Sequence, residues 1–138
     1  MIIDKHNYKK FLLDNGKLLY CSGCKITEIK YLPEGIESLS CYGNLITSLP
    51  TLPKSLKELK CEYNYLKSLP YLPESLEGLY CHNNKLISLP ELPGSLDRLV
   101  CHNNKLPIQG TYYNKKDISN YQRRLNQYKL INDILDKI

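Results

Sequence analysis

The sequence predicts a solenoid: five stacked units of twenty residues with a cap at each end. Three observations carry this reading. Cys21, Cys41, Cys61, Cys81 and Cys101 recur at an interval of twenty residues. Each sits in a similar apolar frame, and the second to fifth frames are joined by a Leu-Pro-x-Leu-Pro segment. A fixed short period marks arrays whose units bury their apolar side only against their neighbours.

The second unit runs Ile36-x-x-Leu39-x-Cys41-x-x-Asn44-x-Ile46-x-x-Leu49-Pro50-x-Leu52-Pro53. The third repeats it from Leu56 through Cys61, Asn64 and Leu66 to Leu72-Pro73, and the fourth from Leu76 through Cys81 and Asn84 to Leu92-Pro93. The fifth stops at Leu106, and a degenerate first unit holds Leu19, Cys21, Cys24, Ile26, Ile29 and Leu32-Pro33. Leu39-x-Cys41 alternates with period two, so both side chains face inward from a short strand while Ser38, Ser40 and Tyr42 face out. Stacked at about 4.8 Å, such strands form one parallel ladder. The asparagines after each strand turn inward, where their amides satisfy backbone groups of the bend. The Leu-Pro-x-Leu-Pro return is too short and proline-rich for an α-helix and is expected to be extended or polyproline-like on the convex side.

This frame resembles the leucine-rich repeat, L-x-x-L-x-L-x-x-N/C-x-L, with cysteine for the third leucine. The unit length and the Leu-Pro-x-Leu-Pro half are similar to the shortest class of that family, found in type III secreted bacterial effectors and in repeat proteins of giant amoebal viruses. The resemblance spans roughly residues 16–106. It implies the solenoid fold, with parallel strands on the concave face, and no particular activity.

A solenoid needs its open cross-sections covered. Residues 1–15 are read as an N-terminal helical cap, with Asp4 as N-cap, Tyr8, Phe11 and Leu12 on one face and Gly16 just past its end. Residues 16–110 form the five repeats, and 111–138 a C-terminal helical cap. The last helix is expected to start at Ser119, with Gln122 completing a capping box. Tyr121, Leu125, Tyr128, Ile131, Leu135 and Ile138 then form one apolar stripe.

The net charge of +5 lies mostly in the tail: residues 16–104 carry nine basic and nine acidic side chains, while 105–138 carry seven basic against three acidic. A neutral body argues against a nucleic-acid groove along it. The basic tail, with Lys115, Lys116, Arg123, Arg124 and Lys129, reads as the solvated face of a helix, with contact to nucleic acid or an anionic membrane as the alternatives. No apolar run approaches the ~20 residues of a membrane-spanning helix. Charged residues occupy the place of a signal peptide's apolar core. The thiols are therefore read as reduced and the protein as intracellular and cytoplasmic, with virion association or delivery into a host cell left open by the resemblance.

Cys21-Ser22-Gly23-Cys24 has the spacing of a metal or redox pair. It lacks a second pair or histidines at ligand spacing, and the repeat register accounts for both cysteines. The five ladder cysteines read as small core residues. His82 and His102 occupy equivalent rungs and could share a metal ion, but no third ligand accompanies them. No Ser/His/Asp set, Gly-rich phosphate loop or paired-carboxylate cleft is identifiable. A non-enzymatic role without metal, cofactor or small-molecule substrate is expected.

The outward columns carry the functional reading. One runs Tyr20, Ser40, Lys60, Tyr80, Val100; its neighbour runs Ser22, Tyr42, Glu62, His82, His102; a third runs Gly23, Gly43, Tyr63, Asn83, Asn103. A further column, Lys17, Glu37, Lys57, Glu77, Asp97, reads as a cross-strand charge ladder. Tyrosine with histidine and basic residues on a rigid surface is the composition of a recognition face, though tyrosine also favours strands for its own sake. Tyr20, Tyr42, Lys60, Tyr63, Tyr80, His82, Arg98 and His102 are the candidate partner-binding residues, with Tyr31 and Tyr71 placed on the convex side. The function expected is binding of another protein through the concave strand face. The alternative is an assembly subunit that contacts neighbours through the solenoid edge or the basic C-terminal helix.

Overall fold

The computed structural model describes residues 1–138. Its centre is one seven-stranded sheet. Strands β3 (Leu18–Tyr20), β5 (Ser38–Ser40), β6 (Glu58–Lys60), β7 (Gly78–Tyr80) and β8 (Arg98–Val100) pair in parallel, each rung exactly one repeat from the next in register, Leu19 to Leu39 to Leu59 to Leu79 to Leu99. Those leucines and the cysteines two residues on are fully buried, so the period-two alternation is realised at every strand. No helix fills the return segments, as the proline spacing requires.

Two polar ladders stitch the units together. The Asn44 side chain accepts from the Cys24 and Ile26 amides (3.0 and 2.9 Å) and donates to the Cys21 and Cys41 carbonyls (2.9 Å each). Asn64, Asn84 and Asn104 each accept from one amide of the preceding unit (Ile46, Leu66 and Leu86) and donate to the equivalent pair of cysteine carbonyls, one of them a unit back. The second ladder is built by serine: the Ser55, Ser75 and Ser95 hydroxyls donate to the Ile36, Leu56 and Leu76 carbonyls at 2.6–2.7 Å. In the first unit Cys24 and Gly35 replace the asparagine and serine. No repeat lies before it to be stitched, and Cys24 Sγ donates locally to the Ser22 carbonyl (3.3 Å).

The N-terminal cap differs from the helix expected over residues 4–15. Residues Tyr8–Phe11 make a single 3-10 turn, β2 (Leu12–Leu13) pairs antiparallel with β3, and β1 (Ile2–Ile3) pairs in parallel with β4 (Glu28–Ile29). Asp4 caps no helix; its carboxylate accepts from the His6 amide and Asn7 closes back on the Asp4 amide and the Ile2 carbonyl. A free row of β3 backbone groups is satisfied better by a strand than by a helix.

At the other edge β9 (Thr111–Tyr112) pairs antiparallel with β8, and α1 (Lys115–Leu135) packs over the last unit. The helix begins a turn before Ser119. Asn114 is its N-cap, accepting from the Asp117 amide (2.8 Å), and Gln122 instead donates to Asn126. The expected stripe divides. Ile118, Tyr121 and Leu125 are buried, whereas Tyr128, Ile131, Leu135 and Ile138 are exposed, because three side chains suffice to cover the last cross-section. Tyr121 Oη donates to the Ile108 carbonyl (2.8 Å).

Candidate functional site

The five strands present their even-numbered side chains on one surface, and the parallel register brings seven of the eight candidate residues into three groups, with Arg98 apart from them. Tyr20 and Tyr42 meet at their hydroxyls, 3.4 Å apart, and both are exposed. Lys60 Nζ lies 3.3 Å from Glu58 and 5.8 Å over the Tyr80 ring. Arg98 Nε lies 3.1 Å from Asp97. Tyr63 meets His82 edge-on at 5.5 Å, and His82 stacks on His102 at 4.7 Å. Ser40 and Val100, in the same outward column as Tyr20, are buried; Ser40 bonds Ser22 across the rung (3.0 Å).

Three features of this face escaped the residue pattern. Gly78 is one: a Cβ there would come 3.3 Å from the Tyr80 ring and 3.9 Å from Arg98 Nε, so its absence lets Tyr80 and Arg98 fold over the strand. The second is the turn after each strand. Gly23, Gly43, Tyr63, Asn83 and Asn103 all have φ between 52° and 66°, the left-handed region that glycine and asparagine adopt readily. Tyrosine does not, yet Tyr63 holds that conformation at 58% exposure. The third is Glu62, between Tyr42 and His82 in the central column. Its Oε2 is buried without a hydrogen-bond partner, and so is His82 Nδ1.

Burial sets the electrostatics. It raises the Glu62 carboxyl above its usual range and lowers the His82 imidazole, with the His102 ring adding to the second effect. The imidazole of His102 is anchored through Nδ1, 3.2 Å from Thr111 Oγ1. The charge column is real at one end only: Glu37 is bridged by Lys17 (3.2 Å) and Lys57 (3.1 Å), which lower its pKa, while Asp97 turns to Arg98. Such exposed pairs are worth little individually.

Among thiols, all six are free, and the ladder cysteines are buried. Burial raises Cys41, Cys61 and Cys81 far above the thiol range and Cys21 to about 12, so none is a ready nucleophile or ligand. No group of three metal-ligating side chains comes together. Of the residues placed on the convex side, Tyr71 is 68% exposed. Tyr31 instead packs against Tyr8 (4.9 Å) and beneath Lys5, as part of the N-terminal cap. No helix is long and apolar enough to cross a membrane.

No protein-family model matches the sequence, and no curated protein matches it. Among solved structures the chain is similar to the leucine-rich-repeat domain of a Shigella effector, at 33% identity and a TM-score of 0.70, over 77% of this chain and 49% of that one. The chain thus spans about half the length of the domain it matches. With its parallel ladder, inward asparagines and helix-free returns, the chain has the fold of a leucine-rich-repeat solenoid similar to that bacterial effector domain.

Proposed function

We propose that the protein is an interaction module that receives a polypeptide partner on the outward face of its parallel strands. One observation carries this reading: Tyr20, Tyr42 and Tyr63 stand exposed on a backbone whose inward polar groups are almost all paired. Rigidly held tyrosines offer apolar area and a hydroxyl with little entropy left to lose on binding. The likeness to an effector domain supports a partner met inside a cell, where free thiols persist.

The test is an affinity purification from the native cell with three proteins: the wild type, the Tyr20→Ala/Tyr42→Ala pair, and Tyr71→Ala on the convex side. The reading expects the pair to lose the partner, since anchors of this kind carry ~2 kcal/mol or more each, and Tyr71→Ala to keep it. A second reading rests on the exposed Leu130, Ile131, Ile134 and Leu135 of α1. An assembly subunit would use that surface. Loss of the partner on removing residues 129–138, with the tyrosine pair still binding, would put assembly first.

A further inference from the structure

Two local penalties sit on adjacent residues at the end of β6. Tyr63 holds a left-handed backbone that the neighbouring rungs give to glycine or asparagine. A bulky residue there costs about 1–2 kcal/mol. Glu62 keeps one carboxylate oxygen buried with no donor on it, and His82, one rung on, keeps Nδ1 in the same state. These are two of the three buried side-chain atoms in the chain without a partner. The rungs are tightly coupled through the backbone, Gly43 donating to the Glu62 carbonyl (3.0 Å) and Tyr63 to that of His82 (3.1 Å).

The chain answers the carboxylate only in part: a backbone hydrogen bond and the Lys60 charge favour its ionised form, yet Oε2 has no partner. Lys60, the nearest cation on this face, is held by Glu58 and the Tyr80 ring. His82 is kept neutral near pH 7 by its burial and by His102. A partly desolvated carboxylate with one unpaired oxygen and aromatic neighbours calls for a donor-rich cation.

We propose that Glu62, with Tyr42, Tyr63 and His82 around it, is the seat for a cationic side chain of the partner, an arginine in preference to a lysine. This rests on the reading of the strand face as the binding surface. The guanidinium is planar, stacks on aromatic rings and carries five N–H donors in a fixed fork, so one group can pair with the Glu62 carboxylate while lying against tyrosine. The ammonium of lysine is more strongly hydrated and offers no plane to stack. The strain at Tyr63 is then the local cost of placing a ring beside the carboxylate.

The experiment is an NMR titration of the isotope-labelled protein with N-acetyl-arginine amide, with N-acetyl-lysine amide and neutral N-acetyl-glutamine amide as comparison ligands. The arginine ligand should shift the amides of residues 42, 62, 63 and 82 saturably, the lysine ligand more weakly and the glutamine ligand not at all. Glu62→Gln should weaken arginine binding at least about tenfold, the usual worth of a charge-assisted hydrogen bond. Glu62→Ser, which copies Ser22 of the same column, is the second variant should the first fail to fold. Absence of saturable shifts, equal shifts with glutamine, or undiminished binding by the folded variant overturns the proposal.

A random-peptide library selected on the wild type separates this idea from the broader one. Peptides lost on Tyr20→Ala/Tyr42→Ala, yet showing no arginine preference that vanishes in Glu62→Gln, would leave the strand face standing and the cation seat refuted. Arginine shifts at residue 62 with peptides indifferent to the two tyrosines would do the reverse.

Discussion

The same strands have two sides, and the sides obey different rules. Inward, each rung repeats the one before it: leucine and cysteine at zero exposure, an asparagine whose oxygen and amide both reach partners, and a serine closing the return. Outward, no column repeats a residue type throughout. There the buried acceptors of Glu62 and His82 go unpaired and Tyr63 is strained. The inward side has been settled by folding, where any unpaired group costs stability in every unit. The outward side tolerates such costs, as surfaces shaped by a partner do.

The largest test of this contrast is chemical. Thiol labelling of the native protein should modify half-buried Cys24 quickly, whereas Cys41, Cys61 and Cys81 should react only through unfolding, slower by about a thousandfold or more. Comparable rates at all six sites, read by mass spectrometry of the digested protein, would break the picture of a sealed inner side. Next in size is Asn64→Ala. It strands the Ile46 amide and takes one of two asparagine donors from each of the Cys41 and Cys61 carbonyls, and should cost about 1–2 kcal/mol in a urea titration. A loss under half of that would mean the ladder is replaceable by water.

The outward side should respond with the opposite sign. Tyr63→Asn copies Asn83 and Asn103 into the same backbone conformation and should stabilise the fold by about 1 kcal/mol. No gain, or a loss, would show that the Tyr63 ring supports the fold through His82. Smaller still is a pH effect. The folded state holds the Glu62 proton to higher pH than the unfolded chain does, so this group removes stability as pH rises through the region above 4.5. For His82 the unfolded chain binds the proton first, so stability falls as pH drops below 6.5. Between those values the two oppose each other. In Glu62→Gln only the histidine slope remains from this pair, and thermal melts should therefore fall more steeply on acidification than in the wild type. Parallel pH profiles would mean that the carboxyl is not perturbed by its burial; Lys60, Glu58 and His102 are the other charged or titratable groups around it.

The ends of the molecule extend the comparison. Both sheet edges are closed by two-residue antiparallel strands, but only the C-terminal edge adds a helix, and only its first half is buried. Removing residues 129–138 should change stability by less than about 0.5 kcal/mol, since these side chains are mostly exposed. A larger loss would make the whole helix part of the cap.

What could be read without coordinates was whatever repeats. The period of twenty, the inward Leu-x-Cys, the asparagine ladder and the helix-free returns all follow from local alternation and from the need to pair buried backbone groups, and five copies average away the noise of any one. The stacking of His82 on His102 was legible for the same reason, since equal positions in adjacent units must meet. The caps were not legible, because each occurs once and answers a demand from β3 or β8 rather than from its own residues; Asp4 and Ser119 look like helix starts only until the neighbouring strand edge is in place. Nor could the outward column reveal that one Glu62 oxygen lies unpaired. Lys60 is two residues away in sequence, and only the folded sheet turns it toward Glu58 and Tyr80 and leaves the carboxylate, half-desolvated, between two aromatic rungs.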